Sequence, residues 1–161
     1  MKVLGIDPGT AIVGFGLIEK NKDGSLKEIN HGCIRTSPDF NTSKRLEKVH
    51  KELTDLIKKC KPDIIAVEDI FFFKNLKTAI KVSQARGVIL LTAEKSKAKI
   101  MEFTPLQVKQ AVACYGRADK KQVQTMVKAL LGLKKIPKPD DAADALAIAI
   151  CAANNINNRI K

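Results

Sequence analysis

Asp7, Glu68, Asp141 and Asp144 are acids set in apolar surroundings. Asp7 ends the run Val3-Leu4-Gly5-Ile6, Glu68 ends Ile64-Ile65-Ala66-Val67, and the other two open an Ala/Leu/Ile-rich segment that follows Pro139. An unpaired carboxylate in such a place costs several kcal/mol or takes up a proton, so acids at strand tips call for a compensating cation. In a chain of net charge +12 that cation could be Lys or Arg, but a divalent metal explains why the acids would gather in one place. Two-metal phosphodiester cleavage needs carboxylates that converge on cations about 4 Å apart, one activating water and the other stabilising the leaving oxygen. The pattern reads as a metal-dependent phosphoryl-transfer site on a nucleic-acid-binding surface.

Strand tips and a helix start can supply that convergence. Lys2 to Ile6 is short and nearly continuously apolar, which suits a strand buried on both faces, and Pro8-Gly9 stops it. Ala11 to Glu19 and Leu26 to Thr36 flank the turn signal Lys22-Asp23-Gly24-Ser25 and predict an antiparallel hairpin. Gly14 and Gly16 alternate on its first strand, leaving one face bare for the close approach of a helix or another backbone. Leu46, Val49, Leu53, Leu56, Ile57 and Cys60 recur at helical spacing within Thr42 to Lys61, opposite a lysine-rich face. Ile64 to Glu68 then adds a buried strand, Leu76 to Lys97 a second helix and Lys99 to Thr104 a fifth strand. Pro105 opens a helix to Tyr115 closed by Gly116, Asp119 caps another to Leu131, and the last helix runs from Asp140 to about Asn154. The fold expected is α/β, one mixed five-stranded sheet with three antiparallel and two parallel strands and helices on both faces. Residues 1–161 read as a single domain with a frayed tail from 154 to 161.

Blander readings stand beside the chemical ones. Asp7 before Pro8-Gly9 suits a turn residue, Asp140 or Asp141 suits an N-cap favoured by the helix dipole, and Asp69 is left open between a solvated neighbour and an auxiliary of the site. Asp144 resists such a reading: it lies inside the helix on the stripe continued by Ile148 and Cys151. Phe71-Phe72-Phe73 directly follows Glu68 and holds three of the six phenylalanines; one exposed beside a metal site would wedge between bases or stack on one. Lys74, Lys77 and Lys81 share a helix face beside them and suit phosphates. Lys109, Lys120 and Lys121 are read either as solvated charge or as phosphate contacts that stabilise the transition state. His50, between Val49 and Leu53, reads as a satisfied core-edge histidine.

The remaining composition narrows the class. Lys+Arg 29 against Asp+Glu 17 favours a polyanionic partner. Cys33, Cys60, Cys114 and Cys151 have no Cys-x-x-Cys spacing and read as buried free thiols, not a zinc site. Met1-Lys2 leads straight into a strand, so no signal peptide is expected, and no apolar run approaches the roughly 18 residues of a membrane span. A reducing cytoplasm is the expected location.

Five segments in order, Gly5-Ile6-Asp7-Pro8-Gly9-Thr10, Val67-Glu68, Gln84-Ala85-Arg86-Gly87, Val108-Lys109-Gln110-Ala111-Val112 and Asp141 to Ala149, resemble the RuvC-type Holliday junction resolvases from about Met1 to Cys151. The resemblance implies an RNase H-like fold, a homodimer, and Mg²⁺-dependent paired cuts across four-way junction DNA in recombination and repair, with two Mg²⁺ per site and Mn²⁺ as a substitute. It matches Asp7, Glu68, Asp141 and Asp144 to the family's metal-binding acids, Phe71 to its base-contacting aromatic, and Lys109 and Lys120 to its DNA-facing lysines. It also implies a junction-binding protein and a branch-migration ATPase of the RuvAB type as partners. Ala11 and Val13 stand where relatives often carry polar or basic residues, and the three phenylalanines are more than usual. Two rivals are an actin-like ATPase or sugar kinase using Asp7-Pro8-Gly9-Thr10 as a phosphate loop, and a module that binds branched DNA without cutting it.

Overall fold

The structure is a computed structural model that describes residues 1–69 and 76–156. Phe71, Phe72, Phe73 and Lys74 lie outside the described residues, as does the side chain of Lys77. The elements run β1 (Lys2–Asp7), β2 (Ile12–Lys20), β3 (Leu26–Arg35), α1 (Thr42–Cys60), β4 (Ile64–Glu68), α2 (Leu76–Lys95), β5 (Lys99–Phe103), α3 (Pro105–Ala113), α4 (Lys120–Leu130) and α5 (Asp140–Asn155). The strands form one sheet in the order β3-β2-β1-β4-β5. β1 pairs antiparallel with β2 and β2 with β3, whereas β4 runs parallel to both β1 and β5.

Alternation along the strands sorts the core into two layers. Val3 on β1 and Ile64 and Ala66 on β4 join the cluster under α3, α4 and α5. Leu4 and Ile6 on β1 and Ile65 and Val67 on β4 join the cluster under α1 and α2. Because side chains alternate with period two, Asp7 continues the parity of Val3 and Gly5, and Glu68 that of Ile64 and Ala66. Both acids therefore belong to the face that α5 covers.

The helix α5 is buried on nearly every side from Ala142 to Ala153. It reaches the sheet through glycines. A Cβ on Gly5 would fall 2.1 Å from the Ala145 carbonyl oxygen, one on Gly14 2.1 Å from that of Asp141, and one on Gly16 2.7 Å from the Leu146 nitrogen. The bare face expected of Gly14 and Gly16 is thus the seat of the acid-bearing helix, and Gly14 is the register partner of Asp7.

Helix ends follow their local chemistry, with several departures from expectation, among them α2, which stops at Lys95 and not at Lys97. Thr104 with Gln107, and Asp119 with Gln122, form reciprocal capping boxes at α3 and α4, and Pro105 takes the first turn of α3. The N-cap of α5 is Pro139, so Asp140 is the first helical residue and faces the dipole without capping it. α3 ends at Cys114, whose φ of 56° gives the left-handed reversal assigned to Gly116 by sequence. Cys114 is also exposed, unlike the buried thiol expected; Cys151 is buried and all four cysteines are free. α5 continues through Asn155, one residue past the expected end, where the Asn155 Nδ2 donates to the Cys151 carbonyl at 2.9 Å. His50 is satisfied as expected, with Nδ1 2.7 Å from the Thr92 hydroxyl, tying α1 to α2. Among the described residues no helix is long and apolar enough to cross a membrane.

Candidate metal and nucleic-acid site

Asp7 and Glu68 stand one residue past the paired positions Ile6 and Val67 of neighbouring parallel strands. Their carboxylates share the face on which α5 starts. A cavity of about 290 Å³ opens there, and Asp7, Glu68, Asp144, Lys109 and Lys120 supply its charged lining, with Val108, Val123 and Ala147 among its apolar walls. Asp141 lies nearly one helical turn before Asp144, its backbone on Gly14 and its charge felt by Asp7 and by Cys33 on β3. The fold thus brings three of the four acids to one cavity and the fourth to its β2 side.

Burial and mutual repulsion both act on these carboxylates. Burial first, then the charges of Glu68, Asp144 and Asp141, push the Asp7 carboxyl up from 3.8 to about 8, with Lys120 opposing. Burial and then Asp144 push Glu68 from 4.5 to about 7, with Lys109 opposing. Burial also raises Asp144, against which the hydrogen bond and charge of Lys120 work. No described residue donates a hydrogen bond or an ion pair to the Asp7 or Glu68 carboxylates.

Lys120 bonds Asp144 at 3.0 Å and stands 3.6 Å from Asp140, which also pairs with Lys138 at 2.7 Å. Burial works against the Lys120 charge, but its bond to Asp144 and the nearby carboxylates hold its pKa above the usual value. Lys120 therefore serves as a counter-cation in the cavity, where the sequence suggested only surface charge or a phosphate contact. Among the described residues no three His, Cys, Asp or Glu side chains already stand at spacing that would enclose an ion. The acids share a field before they share a ligand sphere. The donor set nevertheless fits a hard divalent cation: it is all oxygen, and two of its members have no hydrogen-bond or ion-pair partner among the described residues and are held above their ordinary ionisation range by burial and then by like charge.

Lys81 is exposed on α2. Arg86 on the same helix was named in sequence only as a basic residue of a motif, yet it binds the strand ends that carry the site. Its Nε donates to the Glu68 carbonyl at 3.2 Å, and its Nη2 pairs with Asp69 at 3.0 Å and with Glu102. Asp69 is thereby part of an ion-pair cluster beside the site. The long sequence separation of the partners hid it; besides its place in the Gln84-Ala85-Arg86-Gly87 segment, its signal was a cation three residues before the buried Ile89.

Comparison with known proteins gives this arrangement a lineage. The family model described as crossover junction endodeoxyribonuclease RuvC matches residues 3–152. The enzyme of that name from Halothermothrix orenii is 57% identical over 155 residues, covering 96% of this chain and 93% of its own. That of Fusobacterium nucleatum is 51% identical over 160 residues, covering 99% and 84%. The structure of Thermus thermophilus RuvC in complex with Holliday junction substrate superposes with a TM-score of 0.90 at 32% identity, covering 99% of this chain and 97% of that one. The yeast mitochondrial resolvase Ydc2, at 18% identity and a TM-score of 0.70, shares the fold. Sequence and fold agree over nearly the whole length: the chain belongs to the RuvC family of crossover junction endodeoxyribonucleases.

Proposed function

We propose that residues 1–161 act as one nuclease domain, a structure-selective DNA endonuclease that resolves four-way junctions in recombination and repair, leaving 5′-phosphate and 3′-hydroxyl ends. One observation carries the reading beyond family membership: carboxylates on neighbouring parallel strands, Asp7 and Glu68, without a partner among the described residues, open into one cavity with Asp144, Lys109 and Lys120. Asp7, Glu68, Asp141 and Asp144 would hold Mg²⁺, two ions per site, with Mn²⁺ able to substitute. The chemistry such ions supply is to make water a nucleophile near neutral pH and to stabilise the leaving oxygen.

The protein's own groups do the rest. Lys109 on α3 and Lys120 on α4 line the cavity opposite the strand tips, where each can neutralise a phosphate oxygen. Lys120 must give up Asp144 to do so, and a cation on Asp144 favours that exchange. The buried walls Val108, Val123 and Ala147 exclude bulk water and strengthen these charge interactions. Phe71 would meet a base near the scissile strand, and Lys74, Lys77 and Lys81 the flanking phosphates. A homodimer would give two sites related by a two-fold, matching a junction of that symmetry. It would work in the cytoplasm beside a junction-binding protein and a branch-migration ATPase of the RuvAB type.

The test uses a synthetic immobile junction, a linear duplex and an RNA–DNA hybrid, each with and without Mg²⁺. Paired symmetric cuts in the junction alone, dependent on Mg²⁺, are expected. Equal cutting of the linear duplex, or tight junction binding that stays inert in both Mg²⁺ and Mn²⁺, would reject the reading, as would ATP hydrolysis without DNA.

A further inference from the structure

We propose that Arg86 is a positioning residue for Glu68, a fork that fixes the end of β4 so that the Glu68 carboxylate keeps its direction into the cavity. The inference rests on the nuclease reading above. Its ground is a set of contacts around one guanidinium. Nε donates to the Glu68 main-chain carbonyl at 3.2 Å, and Nη2 binds the Asp69 carboxylate at 3.0 Å and that of Glu102 on β5. The Asp69 amide donates to the Phe103 carbonyl at 2.7 Å, so the β4–β5 ladder extends past Glu68. Arg86 thus holds the acid-bearing residue by its backbone, the next residue by its side chain, and the neighbouring strand by Glu102.

The anchor of the fork is firm while its partners are not. Ala85 and Ile89, on either side of Arg86 in α2, are fully buried, and the Arg86 side chain is 18% exposed. Asp69 and Glu102 are 44% and 47% exposed, and pairs so open to water add little to stability. What they add is orientation. A planar guanidinium offers several donors at fixed angles, which an ammonium on a flexible stem does not. A ligand displaced by about 1 Å loses much of its value to a metal site, and supporting contacts of this kind are typically worth about 10- to 100-fold in affinity or activity.

The test compares the parent with Arg86→Lys, reading thermal stability, Mn²⁺ binding by electron paramagnetic resonance, junction binding in EDTA, and cleavage in Mn²⁺. The expected result is a Tm within a few degrees, junction affinity within about twofold, and both Mn²⁺ affinity and kcat reduced about 10- to 100-fold. Unchanged Mn²⁺ affinity overturns the proposal, whether cleavage persists or falls through junction affinity alone; the latter would make Arg86 a phosphate contact. If Arg86→Lys does not fold, Glu102→Gln decides: it leaves Arg86 present and loosens its fork, so at least a threefold weaker Mn²⁺ affinity is required, and no change overturns the proposal. A parent that neither binds Mn²⁺ nor cuts would instead sink the nuclease reading itself.

Discussion

Replacing Asp7 by Asn should make the metal-free protein more stable at alkaline pH while destroying its cutting. The Asp7 carboxyl is pushed from 3.8 to about 8 by burial and by three neighbouring acids. The folded, metal-free protein therefore holds a proton that the unfolded chain gives up near pH 4. That contribution is complete below the unfolded value and is lost as pH rises to about 8 and beyond. A shift of about four units corresponds to something on the order of 5 kcal/mol, and since Glu68 rises to about 7 within the same cluster the two effects overlap and are not summed. At roughly 2–4 °C per kcal/mol for a chain of this size, the difference in Tm between variant and parent should grow by on the order of 10 °C between pH 5 and pH 9 in EDTA. Thermal unfolding of both proteins across that range measures it, and the difference curve cancels the ordinary titration of surface groups. Mg²⁺ at pH 8 should raise the Tm of the parent well above that of its EDTA sample, since a ligand that binds only the folded state stabilises it by mass action, and should do much less for Asp7→Asn. Parallel profiles, within about 2 °C of each other at every pH, would refute the claim that these acids repel one another across a shared space.

Four further outcomes are expected. Gly14→Ala would set a Cβ 2.1 Å from the Asp141 carbonyl oxygen, so α5 or β2 must shift; a loss of about 1–3 kcal/mol and of most cutting should appear in thermal unfolding and junction assays. Gly87→Ala on α2, where an added Cβ meets nothing within 4 Å, should instead gain about 0.5–1 kcal/mol. Lys120→Met removes the cation paired with Asp144; cutting should fall on the order of 100-fold, and the salt dependence of junction binding should lose about one phosphate contact. Asp119→Ala removes the capping box of α4, at about 1 kcal/mol, and should slow cutting as well because Lys120 is the first residue of that helix.

The elements were legible because their periods were clean. The helical spacing of Val49, Leu53 and Ile57 became the buried stripe of α1, and the apolar runs ending at Asp7 and Glu68 became central strands. The same alternation that buries Val3 and Ala66 carries both acids to the face beneath α5. The unequal parts of Asp141 and Asp144 were less legible, since helical spacing places both on one stripe while the rotation of α5 is set by contacts with Gly5, Gly14 and Gly16. Arg86 was missed as a holder of the site because its acceptors belong to residues 68, 69 and 102, on two different strands. The Cys114 reversal was assigned to Gly116 because glycine is the usual residue there, and only the backbone angle separates the two.

The charge of the chain and the charge of its site have opposite sign, and that opposition decides how binding and cutting relate. A net +12 draws in a polyanion over distances comparable to the Debye length, about 8 Å at physiological salt. The cavity proposed to receive the scissile phosphate is lined by three carboxylates against two lysines, one of which is already engaged with Asp144. Phosphate brought to that cavity meets repulsion unless protons or cations neutralise the acids. Junction affinity and cation affinity should therefore rise together, each ligand relieving the field that opposes the other, as linkage requires. Neutralising Asp7 lowers the repulsion permanently while removing a ligand oxygen. In EDTA above about pH 8, where the parent's Asp7 is ionised, binding should then tighten in Asp7→Asn at the same substitution that ends cleavage, and a junction affinity weakened there by the loss of that negative charge would show that the acids do not face the DNA.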